Sequence, residues 1–115
     1  MSVDNLIKWM ESNVEINNPK NIKNYLSHFS DLTDLIPIAV GIAKKHFPEA
    51  RIVMDVYVDP EISDSYIILY IRLNQYDDSF IDQLAVAESE LFPLLANKEG
   101  WIQMSTDFEP VQNNK

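Results

Sequence analysis

The sequence predicts an α+β domain, and three observations carry that reading. Apolar residues recur at helical spacing through the first 47 residues, and from Arg51 the period drops to two. One more helical stripe then precedes a last alternating segment. A chain of 115 residues with 46% hydrophobic and 23% charged side chains fits a single core. Residues 1–115 are therefore read as one domain: a helical part over 1–47, a β-β-α-β part over 51–108, and a frayed polar tail over 109–115.

Val3, Ile7, Met10 and Val14 form the first helical face, with Ser2 placed to cap it. Asn17-Asn18-Pro19 reads as a stop and a restart, with Asn18 as N-cap and Pro19 as the first helical residue. The restarted helix carries Ile22, Tyr25, Leu26 and Phe29, and Ser30-Asp31 breaks or bends it. A third helix follows to about His46 on the stripe Leu35, Ile36, Val40, Ala43 and Phe47. Pro37 belongs in a first turn, which puts the N-cap at Asp34, and Pro48 stops the helix.

Arg51–Val58 and Tyr66–Leu73 are rich in Ile, Val and Tyr, and the connection DPEISD makes them a hairpin. Asp77, Asp78 or Ser79 starts a helix with the stripe Ile81, Leu84, Ala85, Glu88, Leu91, Phe92 and Leu95, in which Glu88 is out of character. Pro93 is expected to kink or split it, and Gly100 to supply a left-handed cap. Trp101–Phe108 is the third strand. A strand–helix–strand unit within one sheet runs parallel with a right-handed crossover, so a three-stranded mixed sheet packed on helices is expected. Tyr66–Ile71 is apolar on both faces, which favours the strand order 1-2-3, with 2-1-3 as the alternative.

This order of elements resembles the type II KH arrangement of helix, hairpin, two helices and strand. KH domains clamp nucleic acid with a GXXG loop, and the glycines here are Gly41 and Gly100, so the resemblance covers topology and no binding residue. The wording of YLSHF, VYVDPE and GWIQMSTDF is similar to that of small bacterial proteins of unassigned function.

Strand phase sorts the side chains into two faces. One holds Ile52, Met54, Val56, Val58, Ile67, Leu69, Ile71, Leu73, Ile102, Met104, Thr106 and Phe108, and is expected to be the core face. The other holds Val53, Asp55, Tyr57, Tyr66, Ile68, Tyr70, Arg72, Trp101, Gln103, Ser105 and Asp107. Tyrosine and tryptophan beside arginine is the composition of an interface centre, so Tyr57, Tyr66, Tyr70, Arg72 and Trp101 are the candidate partner-binding residues. The N-terminal helices are the competing cover for that face.

Chemistry is read mostly from absences. The chain has no cysteine, and its two isolated glycines cannot write a phosphate-cradling motif. His28 and His46 are the candidates for acid–base work in a small hydrolase or nuclease, although a histidine at a helix C-terminus is explained by the dipole alone. Asp59, Glu61, Asp64, Asp77 and Asp78 stand at turns and a helix start, where carboxylates have local work, so no metal or cofactor is expected. The net charge is −9, and all of the excess lies in residues 52–115, while residues 1–51 are balanced. Such a field disfavours direct nucleic-acid or anionic-membrane binding. Nor does an apolar stretch reach the length of a signal or spanning helix, which makes the cytoplasm the expected location. Together these features predict a non-enzymatic binding or regulatory module of the antitoxin, immunity or regulatory-subunit type. Its aromatic sheet face would take a basic protein partner, with Asp59, Glu61, Asp64, Asp77, Asp78 and Asp82 steering the encounter. A homodimer through the same face is the further alternative.

Overall fold

The structure is a computed structural model that describes residues 3–59, 61 and 64–106. The chain runs α1 (Val3–Asn13), β1 (Glu15–Ile16), α2 (Pro19–His28), a 3-10 turn (Ser30–Leu32), α3 (Ile36–His46), β2 (Arg51–Asp59), β3 (Asp64–Arg72), α4 (Phe80–Leu95) and β4 (Ile102–Ser105). An α+β fold is present, but its sheet has four strands rather than three, in the order β1-β2-β3-β4. β2 and β3 form the antiparallel hairpin, and β3 and β4 pair in parallel across α4. The three long-predicted strands thus take the 1-2-3 order.

The added strand is β1, which pairs in parallel with β2 through Glu15↔Val53 and Ile16↔Met54. Two residues show no periodicity, so the sequence hides it. Its register is fixed by the Asn17 N–H, which donates to the Met54 carbonyl at 2.9 Å, and by Arg51, whose Nε and Nη2 each donate at 2.6 Å to the Glu15 carboxylate. A bidentate guanidinium–carboxylate pair sets geometry as well as energy. Asn18 then turns the chain in the left-handed region, φ 52°, and Pro19 opens α2, as the restart signal predicts.

Four local expectations change. α3 begins at Ile36 with Leu35 as N-cap, one residue after the expected Asp34, although Pro37 does sit in the first turn. α4 runs unbroken through Pro93. That residue lies in the last turn, where its missing N–H deprives only the Ser89 carbonyl of a partner. Gly100 is no left-handed cap, since no glycine has positive φ. A Cβ there would instead come within 2.5 Å of Leu32 Cδ1 and 2.9 Å of Phe29 Cβ. Its hydrogen atom lets the segment entering β4 lie against the 3-10 turn. Within the described part of the predicted strand Trp101–Phe108, strand runs over Ile102–Ser105; Asp107 and Phe108 lie outside the described residues, as do the Ser2 cap and the tail over 109–115.

The core lies on one side of the sheet. Leu6 and Met10 of α1, Ile22, Tyr25 and Leu26 of α2, Ile36, Ala39, Val40, Ile42 and Ala43 of α3, and Phe80, Ala87, Leu91 and Leu95 of α4 all join one cluster. Ile52, Met54, Ile67, Leu69, Ile71, Ile102 and Met104 of the sheet complete it. These strand residues belong to the face assigned to the core from strand phase. Val58, near the hairpin end of β2, does not follow it and is 60% exposed.

Candidate functional site

The opposite face of the sheet is the candidate site. Every buried side chain of every helix belongs to the core cluster, so none of them covers this face. Val53 and Ile68 are nevertheless buried, and they are the two buried hydrophobic residues outside that cluster. Strand register explains how. Val53 lies between Glu15 of β1 and Tyr70 of β3, and Ile68 lies between Asp55 of β2 and Gln103 of β4, so larger neighbours on the same face shield both. The N-terminal helices are therefore not the cover.

The aromatic residues on this face are held rather than splayed. Tyr57 and Tyr66 are directly opposite each other in the hairpin and stack with ring centroids 5.2 Å apart, with Tyr57 39% exposed. The Arg72 guanidinium lies 5.8 Å from the Tyr70 ring centroid, two residues along the same strand, which is cation–π geometry. Four of the five predicted contact residues thus share one surface. Trp101 stands at the margin of that surface, where it lines one cavity with Tyr66. Its ring packs on Phe92 of α4 at 5.1 Å, and its indole N–H donates to Gln103 Oε1 at 3.0 Å. Gln103 in turn donates from Nε2 to Glu88 Oε2. That contact accounts for the carboxylate in the apolar stripe of α4: Glu88 ties the helix to the outermost strand, and burial raises its pKa above the ordinary glutamate value.

The six acidic docking residues do not form one group. Glu61 and Asp64 sit at the hairpin end, where β2 closes on Asp59, whereas Asp77, Asp78 and Asp82 sit where α4 begins. β3 separates these ends by its nine residues, on the order of 25 Å at about 3.3 Å per residue. Glu61, Asp64, Asp77, Asp78 and Asp82 are all exposed. Asp77 also has a local task, accepting from the Ser79 N–H at 2.9 Å and from Ser79 Oγ at 2.7 Å, and these bonds hold its carboxyl below the usual range. Only the hairpin-end group adjoins the aromatic row.

The histidines are used structurally. His28 Nδ1 lies 2.9 Å from the Asn24 carbonyl one turn earlier, and His46 Nε2 lies 2.7 Å from Glu90 Oε2. Glu90 also accepts from Lys45 Nζ at 2.7 Å, so it links the end of α3 to α4, and both bonds lower its pKa. Sequence reasoning missed these links, and with them the bond from the Trp101 N–H to Tyr25 Oη at 3.1 Å. Apart from the His28 contact, each joins residues far apart in the chain, for which spacing gives no signal. Among the described residues there is no group of three His, Cys, Asp or Glu placed to hold a metal ion, and no helix is long and apolar enough to cross a membrane. Comparison with protein-family models, curated proteins and solved structures finds no match.

Proposed function

We propose that the chain is a non-enzymatic protein-binding module that docks a basic partner on its open sheet face, centred on the Tyr57–Tyr66 stack. One observation carries this reading: the face that bears Val53 and Ile68 also carries a stacked tyrosine pair and a tyrosine-bound arginine, with no helix contributing a buried side chain to it. Ordered aromatic and arginine side chains lose little freedom on binding, which makes them efficient anchors. The basic character of the partner follows from the charge of residues 52–115 and from Glu61 and Asp64 beside the aromatic row. A one-signed field accelerates encounter, while the uncharged anchors govern residence time.

The test is kinetic. The protein is used to capture partners from lysate of its source organism, and the binding rates of the purified pair are then measured. Glu61→Gln with Asp64→Asn is expected to slow association and flatten its salt dependence, and Tyr66→Ala to speed dissociation by about tenfold or more. Asp77→Asn, at the other end of the sheet, is expected to leave both rates unchanged. A partner whose association ignores salt and the hairpin-end carboxylates overturns the reading. So does light scattering in which the face is occupied by a second copy of the chain and Tyr66→Ala yields the monomer.

A further inference from the structure

We propose that a cavity at the hairpin end of the molecule accepts the guanidinium group of an arginine side chain. The proposal rests on the reading of a basic partner and locates where one of its charges is taken up. The cavity has a volume of ≈ 530 Å³ and opens where the C-terminal ends of α2 and α4 meet the start of β3.

Its walls have the chemistry of a cation site. Tyr25, Phe29, Tyr66 and Trp101 supply aromatic surface, and Asp64 and Glu99 supply carboxylates. A guanidinium is flat and weakly hydrated, so it stacks on such rings at a lower desolvation cost than an ammonium. Two helices end here, and a helix C-terminus presents the negative end of its dipole. The last turn of α4 contains no basic residue to neutralise that end, whereas α2 ends on His28.

A further carboxylate adjoins the wall through Glu99. Asp31, half-buried, accepts from the Glu99 N–H through Oδ2 at 2.8 Å, and its Oδ1 atom is buried with no hydrogen-bond partner among the described residues. The negative potential also reaches Tyr25, whose hydroxyl pKa is raised first by burial and then by Asp64 and Asp31. Lys98 is the opposing feature, because it lines the same cavity. It makes a competing charge whose removal has a predictable sign.

The two tryptophans allow the site to be read without any partner. The indole N–H resonance of Trp101 is followed by NMR during titration with N-acetyl-arginine amide, while Trp9, on α1, serves as the internal reference. A saturable shift of Trp101 alone is expected, and the neutral isostere N-acetyl-citrulline amide should not reproduce it. Asp64→Asn and Glu99→Gln are each expected to weaken binding about two- to fivefold, as exposed charge pairs do. Lys98→Gln is expected to tighten it, and Asp78→Asn to leave it unchanged. An unmoved Trp9 resonance shows in each case that the fold survives. Equal shifts with citrulline, no shift with arginine, or indifference to all three lining variants would overturn the proposal. Because the probe is a single amino acid derivative, that failure leaves sheet-face docking standing. Conversely, a saturable arginine site remains if docking on the face fails.

Discussion

A methyl group added at Gly41, on the exposed side of α3, meets no atom within 4 Å, whereas one added at Gly100 runs into Leu32 and Phe29. Glycine in a helix interior costs backbone entropy with nothing in return at the first site. Gly41→Ala is therefore expected to stabilise by about 0.5–1 kcal/mol, seen as a higher denaturant midpoint at unchanged slope. Gly100→Ala is expected to destabilise by about 1–3 kcal/mol in the same measurement, because the added carbon overpacks a tight contact. Neither outcome can be told from the one-letter code, since the Gly100 neighbours, Phe29 and Leu32, are far away in the sequence. Asn18 was legible, because asparagine tolerates the left-handed region and the following proline fixes where the helix starts. Of the candidate site, Tyr57, Tyr66, Tyr70 and Arg72 were legible from strand phase alone. Trp101 was legible as a neighbour of Tyr66, but its packing on Phe92 was not, because it stands just before β4, at the sheet edge, where a side chain can turn onto the neighbouring helix.

Between elements, two glutamates one turn-fraction apart on α4 act with opposite signs. Glu90 is held below the ordinary glutamate value by bonds from Lys45 and His46, so its contribution is present above that value, about 4.3, and is lost as the pH falls through its folded pKa. Glu88 is raised by burial. The folded state then binds its proton more tightly than the unfolded state, and stability declines as the pH rises from about 4.3 through the raised value. Glu90→Gln should accordingly flatten the acid limb of the stability–pH profile. Glu88→Gln should remove the opposing slope and stabilise the protein at neutral pH, with the amide oxygen still able to accept from Gln103. Urea midpoints measured across pH 3 to 8 check both, an expected window set by ordinary glutamate titration. The sequence showed Glu88 to be out of place but not what it touches. The long elements were legible because periodicity extends over many residues, and β1 was not because two residues carry none.

Over the molecule as a whole, of the six docking carboxylates only those at the hairpin end adjoin aromatic surface among the described residues. The opposite end combines Asp77, Asp78 and Asp82 with Arg51 and Arg72, which lie opposite each other in the register. The overall net charge therefore conceals two unlike poles, and the balance of the first 51 residues hid which pole adjoins the tyrosines. The same strand order has a consequence for the time course of folding. β2–β3 is the one local pairing, while both outer strands join in parallel after a helical excursion: β1 before three helical segments, β4 after one. Closing those connections costs chain entropy before any pairing offsets it, so the hairpin is expected to be assembled in the transition state and the margins of the sheet to arrive late. Substitutions such as Ile71→Val should then slow refolding, and Met104→Ala should mainly hasten unfolding, which stopped-flow chevrons distinguish. The sheet would grow outward from its centre, and the surface bearing Tyr57 and Tyr66 would be complete before Trp101 reaches its place against Phe92.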